Sequence, residues 1–350
     1  MGWLNRKTPP PVTVRVWNDW YPYKKAYVIQ GFCELAWKGE VKLDLVDYGE
    51  LERAGAPKLS GDAYDSHKNM VVFQMRLGSR MVNAVYDCND LYYKIPNALL
   101  QWADLYFKSN YQPDYLRTGQ LLTGPYWDSL SFRQECLPEP LDLAVAHKCR
   151  PCSFSMVLTD SPEGNRRYLR RLEGLWHRNL PSQKRHDVFY LGSYWGSRKN
   201  LMDGLVGQLE SENLAWLGGL VEAGTPLPEK MAKYRHKAIG PEEWGRMAAA
   251  ARMPVMERGL DGCVSYKPAH YCLIGAPFAS MAFMSNFWLP MCTGINYFCV
   301  DDDFGNLGDL VRGISEGQLV EMGKCNLAFW HQVLCPEATA RYMVREAMRL

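Results

Sequence analysis

Between Val12 and Trp17 apolar and polar residues alternate, "VTVRVW", the period-two pattern of a half-buried strand. Immediately beyond, "AYVIQGFCELAWKG" changes to helical spacing. Val28, Phe32, Leu35 and Ala36 share one face, and Gly39 stands where the helix would close. "EVKLDLVD", "NMVVFQMRL" and "RMVNAVYDCND" read as further strands, the last ending in the polar residues Asp87, Asn89 and Asp90. "IPNALLQWAD" is a short amphipathic helix, and "DLYFKSNY" and "LDLAVAH" are strands again. Strands alternating with helical segments favour an α/β fold with a parallel sheet and helices on both faces.

From about Lys148 to Lys184 the pattern dissolves into a connection that carries one basic helix. Arg166, Arg167, Arg170 and Arg171 share a face of it, which is either solvated or a contact for anionic lipid or pyrophosphate. A second series then begins. "RHDVFYLGSYWGSRKNLMDGLVGQL" reads as strand, glycine-bearing loop and helix; "LAWLGGLV" as a strand; "GPEEWGRMAAAARM" as a helix opening on a proline; "DGCVSY" as a strand. Residues 268–300 contain no Asp, Glu, Lys or Arg. A membrane span needs about 20 continuous apolar residues, and Gly275, Pro277, Pro290 and Gly294 break this stretch. The pieces "YCLIGA", "FASMAFMSNFWL" and "MCTGINYFCV" instead suggest a strand, a helix and a strand of a fully covered βαβ unit. Asp301–Asp303 then open a further strand-to-helix turn, and the last residues form two helices separated by Pro336. The expected division is 1–165, 166–334 and a closing helix over 335–350.

Composition narrows the class. A 350-residue chain with 47% hydrophobic and 22% charged residues is ordinary for a soluble protein. Forty basic against 38 acidic residues give a net charge of +2, too little excess for a dedicated nucleic-acid binder. The opening residues hold no apolar run, so no signal peptide is expected. Eleven cysteines, mostly within apolar patterns, suggest a reducing, cytoplasmic setting. "HKCRPC" (His147–Cys152) offers two thiols and an imidazole, but no further ligand pair completes a zinc site. No Gly-x-Gly-x-x-Gly follows the first strand, so a nicotinamide-binding start is not expected.

In open α/β sheets ligands bind beyond the carboxyl ends of strands, where helix N-termini present free N–H groups. In the second half that edge would carry Gly192, Ser193, Gly196 and Ser197 of the glycine-bearing loop, followed by Arg198 and Lys199. Tyr266, Lys267, His270 and Tyr271 would lead to a second loop, with a helix starting over Gly275–Ser280 and Ser280 facing a phosphate. For Arg198 the alternative is surface charge at a helix start; for His270 it is a satisfied core histidine.

Three segments resemble the GT-B glycosyltransferases. "VNAVYDCNDLYYKIPNALLQWADLYFKSNY" is similar to a stretch in bacterial and viral members; "DVFYLGSYWGSRKNLMDGL" resembles the start of their donor domain; "CVSYKPAHYCLIGAP" with "DDDFGNLGDL" resembles their donor-binding region. The resemblance implies two Rossmann-like domains facing a cleft, with the final helices returning to the first domain. It implies sugar transfer from a nucleotide sugar to a glycan or lipid-linked hydroxyl acceptor, without metal or other cofactor. Donor contacts would fall to Gly192, Ser193, Arg198, Lys199, Tyr266, Lys267, His270, Tyr271 and Ser280. A base on the first domain would be Asp87 or Asp90, either of which can instead be a turn cap. The protein would be cytoplasmic, with the Arg166–Arg171 helix as a peripheral membrane contact. One departure stands out: family members carry an Arg and a ribose-binding Glu on the donor helix, and "SMAFMSNFW" has neither. That leaves a non-catalytic two-domain binding protein, or a nucleotide-sugar epimerase, as alternatives.

Overall fold

The computed structural model describes residues 12–17, 24–57, 69–123, 139–153, 156–194, 198–224, 226–259 and 262–350, with 198–200 as backbone alone. It contains two α/β units. The first is built on residues up to Gln120, Cys136–Pro162 and Pro336–Leu350; the second on Glu163–Cys335 with Leu121–Glu135.

In the first unit β1 (Val12–Trp17), α1 (Ala26–Trp37), β2 (Lys42–Val46), α2 (Tyr48–Arg53), β3 (Met70–Leu77), β4 (Arg80–Asp87), α3 (Asn97–Trp102), β5 (Leu105–Lys108), α4 (Pro113–Thr118) and β6 (Cys149–Pro151) follow in order. The sheet runs β2-β1-β3-β4-β5-β6. All neighbours are parallel except those of β3, which is antiparallel to both β1 and β4. The expectation of a parallel sheet therefore fails at β3. Only Gly78 and Ser79 separate β3 from β4, too short a link for a parallel crossover but enough for a hairpin. "LDLAVAH" is not a strand either. The Asp142 carboxylate accepts the Ala144 N–H at 3.1 Å and turns the chain, and the strand comes later, at Cys149–Pro151.

The second unit continues with α5 (Pro162–Leu172), β7 (His186–Tyr194), α6 (Arg198–Ser211), β8 (Trp216–Glu222), α7 (Pro241–Ala250), β9 (Ala251–Met256), α8 (Lys267–Ile274), β10 (Ala279–Ser280), β11 (Phe298–Cys299), α9 (Leu307–Gly313) and α10 (Glu316–Phe329). Its sheet, β11-β10-β9-β7-β8, is parallel throughout. Counted from β7 the order is 2-1-3-4-5, a doubly wound sheet whose direction of winding reverses between β7 and β9.

Two local readings are corrected here. α7 stops at Ala250 because Pro254 cannot continue a helix and biases Met253 to extended geometry; the residues beyond form β9, and "DGCVSY" holds no strand among its described residues. In the uncharged stretch strand and helix exchange places. Pro268 in the first turn and Gly275 just past the end (φ 68°) bracket α8, while Ala279–Ser280, expected in a helix, pair as a strand with β9 and β11. Short apolar runs do not separate helix from strand; the Pro and Gly punctuation does. Among the described residues no helix is long and apolar enough to cross a membrane.

The last helix, α11 (Pro336–Arg349), belongs to the first unit, whereas α10 stays in the second. α1 is buried around almost its whole circumference because the sheet covers one side and α11 the other. The approach is close at Gly31, where a Cβ would stand 2.1 Å from the Pro336 carbonyl oxygen. Lys38–Glu337 (2.5 Å) and Arg341–Glu40 (2.6 Å) flank the contact, and Tyr342 donates to the Pro151 carbonyl at 2.9 Å. Gly31→Ala is therefore expected to lower stability by about 1–3 kcal/mol through overpacking. Gly207→Ala in α6, with nothing within 4 Å of the added methyl, should be neutral or stabilising. Urea titration of the two variants reads the contrast, and equal midpoints would discard the close-packing account.

Candidate functional site

Every strand of the second sheet ends on the same edge, so the residues that follow β9 lie beside the end of β7, at the point where the winding reverses. Met256 ends β9, and Glu257 and Arg258 come next. The Glu257 carboxylate accepts from Lys267 Nζ at 2.7 Å, and both groups are buried. The same ammonium lies 4.6 Å from the centre of the Tyr190 ring on β7. Burial makes such a pair costly to break, since either partner alone would be an uncompensated charge. Arg258 ties three strand ends together: its Nε donates to the Ala282 carbonyl after β10 at 3.1 Å, and its guanidinium pairs with Asp302 after β11.

Gly192 has a packing reason. A Cβ there would fall 2.1 Å from the Tyr190 hydroxyl, which bends back to donate to the Met202 sulfur at 3.1 Å. Its missing side chain thus seats the ring on which Lys267 rests. Ser193 is half-buried beside it, across from Val221 of β8. Gly196 and Ser197 lie outside the described residues, as do the side chains of Arg198 and Lys199, whose backbone opens α6.

The expected second loop rearranges. Tyr266 is solvent-facing, edge-on to His270. Tyr271 is core, stacked on Trp244 and donating to the Val255 carbonyl at 3.3 Å. His270 is buried, and its Nε2 accepts the Tyr168 hydroxyl of α5 at 2.9 Å while Nδ1 faces the Tyr266 carbonyl. Burial lowers its pKa to about 4, so the ring is neutral. Ser280 is fully buried in β10 and donates to the Met281 carbonyl. The rim expected to be a helix start, Gly275–Ser280, is instead the exit from a helix C-terminus, and offers a phosphate no free N–H groups of a first turn.

In the first unit Asp87 and Lys108 are register partners at the ends of β4 and β5. Asp87, fully enclosed, accepts from Lys108 Nζ at 2.9 Å, Tyr106 Oη at 2.7 Å and the Asn89 N–H at 2.8 Å. Its carboxylate is enclosed and committed to these three donors, the strand-end arrangement that its alternative reading as a turn cap expects. Asp90 differs: its side chain is 44% exposed and pairs with Lys24, itself only 8% exposed. Cys149 and Cys152 are buried, and burial pushes both thiols up to about 12, which leaves them protonated and poor as metal ligands or redox nucleophiles. Among the described residues no group of three or more His, Cys, Asp or Glu is placed to hold a metal ion. Arg171 of the basic helix pairs with Glu242 at 2.8 Å.

Tyr190, Glu257, Arg258, Lys24 and Lys108 were not among the residues read from sequence. For Glu257, Arg258 and Lys108 the signal is charge at the end of an apolar run, as in "VMER" and "LYFK"; Tyr190 and Lys24 carry no such mark.

No family model matches the chain, and no curated protein does. Solved structures do. A structure of Anabaena Alr3699/HepE in complex with UDP and glucose is 11% identical, covering 76% of this chain and 71% of that one at a TM-score of 0.41. A glycosyltransferase from Rickettsia africae is 8% identical, covering 93% and 94% at 0.46. The wall teichoic acid polymerase TagF is 11% identical, covering 72% and 57% at 0.28.

Two measurements check the site's electrostatics. Asp87→Ala leaves the Lys108 ammonium buried without its partner and is expected to cost about 3–5 kcal/mol, whereas Asp90→Asn, which keeps an acceptor oxygen for Lys24 at a half-exposed side chain, should cost less, about 1 kcal/mol. Similar losses in both would refute the contrast. For His270 the folded pKa lies below the ordinary 6.5, so the stability it contributes is fully present above pH 6.5 and is lost as pH falls through about 4. The loss should be on the order of 3 kcal/mol, and His270→Gln should flatten that part of the stability-against-pH curve.

Proposed function

We propose that the chain is a glycosyltransferase that moves a sugar from a nucleotide-sugar donor to a hydroxyl of a glycan or lipid-linked acceptor. The observation that carries this reading is the second unit's sheet: parallel throughout, ordered 2-1-3-4-5, with a glycine-bearing strand end and a buried cation meeting where the winding reverses. A diphosphate at that edge would meet the backbone of Gly192 and Ser193 and the start of α6 with Arg198 and Lys199. Lys267 adds positive potential from beneath without leaving Glu257, and Tyr266 is the solvent-facing member of the second loop. Charge developing on the leaving diphosphate is then stabilised by fixed dipoles and cations, so no divalent ion is required.

On the first unit Asp90 is the carboxylate able to take a proton from an acceptor hydroxyl. Its partner Lys24 fixes the carboxylate's direction. His270, Tyr271 and Ser280 support the donor side from within the core.

A thermal-shift panel of UDP-, GDP-, CMP- and TDP-sugars tests the donor assignment. A ligand at 100 times its dissociation constant stabilises by about 2.7 kcal/mol, so one nucleotide class should raise the midpoint and the others should not. No shift with any member would remove the reading. Where a donor binds, Asp90→Asn should lower transfer by about 10²–10⁴ while leaving donor affinity unchanged. Donor binding with no transfer to any glycan or lipid-linked acceptor would favour the non-catalytic alternative.

A further inference from the structure

At the amino edge of the second sheet, opposite the site above, one lysine is held by neutral groups alone. Lys184 stands two residues before β7, whose first residue His186 is the register partner of Ala251, the first residue of β9. Its Nζ donates to the Ala249 carbonyl near the end of α7 at 2.6 Å. It also donates to the Trp176 carbonyl, in the short helical turn Leu175–Arg178, at 3.1 Å. The same nitrogen lies 4.7 Å from the centre of the Trp176 ring, which is buried and donates its own Nε1–H to the Ala251 carbonyl at 3.0 Å. Among the described residues no carboxylate pairs with this ammonium. The titratable neighbour that feels its charge is His177 of the same turn, whose pKa burial lowers.

We propose that Lys184 is a modification site, whose Nζ takes the acyl group of an acyl phosphate faster than lysines of this chain that are paired with carboxylates. The inference is independent of the donor reading, because it concerns the opposite edge of the sheet. Two neutral acceptors are its basis. A neutral amine still has two N–H bonds, one for each carbonyl, so loss of the third proton breaks neither hydrogen bond. Burial disfavours the charged form more than the carbonyl dipoles and the ring favour it, and lowers the pKa to about 8. Lys233 and Lys324 supply the contrast. Both are exposed, and they pair with Glu210 at 2.8 Å and Glu321 at 2.7 Å. The hydrogen bond to Glu210 holds the Lys233 ammonium above the ordinary lysine range. Lys184 is half-buried, but Gln183 and Arg185 on either side of it are exposed, which gives a small reagent its approach. In the reaction the neutral amine attacks the acyl carbon. The N–C bond forms, the C–O bond to phosphate breaks, the phosphate leaves with the bonding pair, and the extra proton on nitrogen goes to water. The product amide has one N–H for two carbonyls, so either the end of α7 or the Trp176 turn loses its tie.

Acetyl phosphate is the probe, applied to the full chain at pH 7 and stopped at low conversion, with each acetylated lysine mapped by mass spectrometry. A pKa near 8 leaves about a tenth of the amine neutral at that pH, against less than about one part in a thousand for an ordinary lysine. Nucleophilicity falls as pKa falls and returns part of that advantage. Lys184 should therefore be acetylated about tenfold or more faster than Lys233 and Lys324, and the lead should vanish when the chain is unfolded in urea. Equal rates in the folded chain overturn the inference. A lead that persists in urea also overturns it, since the reactivity would then belong to the local sequence rather than to the two carbonyls. In the acetylated fraction, amide hydrogen exchange over residues 248–253 should be faster than in the unmodified chain. Unchanged exchange there would overturn the tie between Lys184 and α7.

Discussion

The Lys267 ammonium is buried between a carboxylate and an aromatic ring, and the carboxyl edge of the second sheet is arranged around it. Glu257 follows β9 and Tyr190 belongs to β7, so a single cation spans the boundary where the winding reverses. Its position fixes where α8 begins, and it holds the Tyr190 ring over Gly192. The loops beyond inherit that placement, and Arg258 extends it to the ends of β10 and β11. The cost of desolvating the charge is offset only while both partners remain in place. An edge held by such a buried pair is fixed by the fold itself, and a fixed edge is one that would incur little ordering cost on binding.

The first unit solves the same problem with the same chemistry. Lys108, Asp87 and Tyr106 meet at the ends of β4 and β5, with the tyrosine acting through its hydroxyl rather than its ring. In each unit a lysine, an acid and a tyrosine meet beneath the surface at strand ends.

Much of the architecture was legible in the chain. A period-two run located β1, a continuous apolar run located β3, helical spacing located α1, and the βα rhythm pointed to two α/β units. What sequence hid has physical causes. The reversal of β3 depended on the Gly78-Ser79 link, a hairpin signal overridden by the general rhythm. The exchange of strand and helix over residues 268–300 arose because burial on all sides erases periodicity, leaving Pro268 and Gly275 as the guides. Gly192 and Lys267 lie at the carboxyl edge of the second sheet, whereas Tyr271 and Ser280 are core. A polar or aromatic residue in an apolar run does not reveal which way its side chain faces.

β10 and β11 contribute two residues each, so that side of the second sheet is held by very few ladder bonds. Between them runs an irregular segment with no charged side chain. Few bonds make this the margin where the unit opens most readily, on the scale of local rather than global unfolding. What such an opening releases is apolar chain with no Lys or Glu to act as a gatekeeper against sticking. An opening at this margin thus exposes chain that no nearby charge keeps from sticking, a weakness written into the same uncharged stretch that forms part of the core.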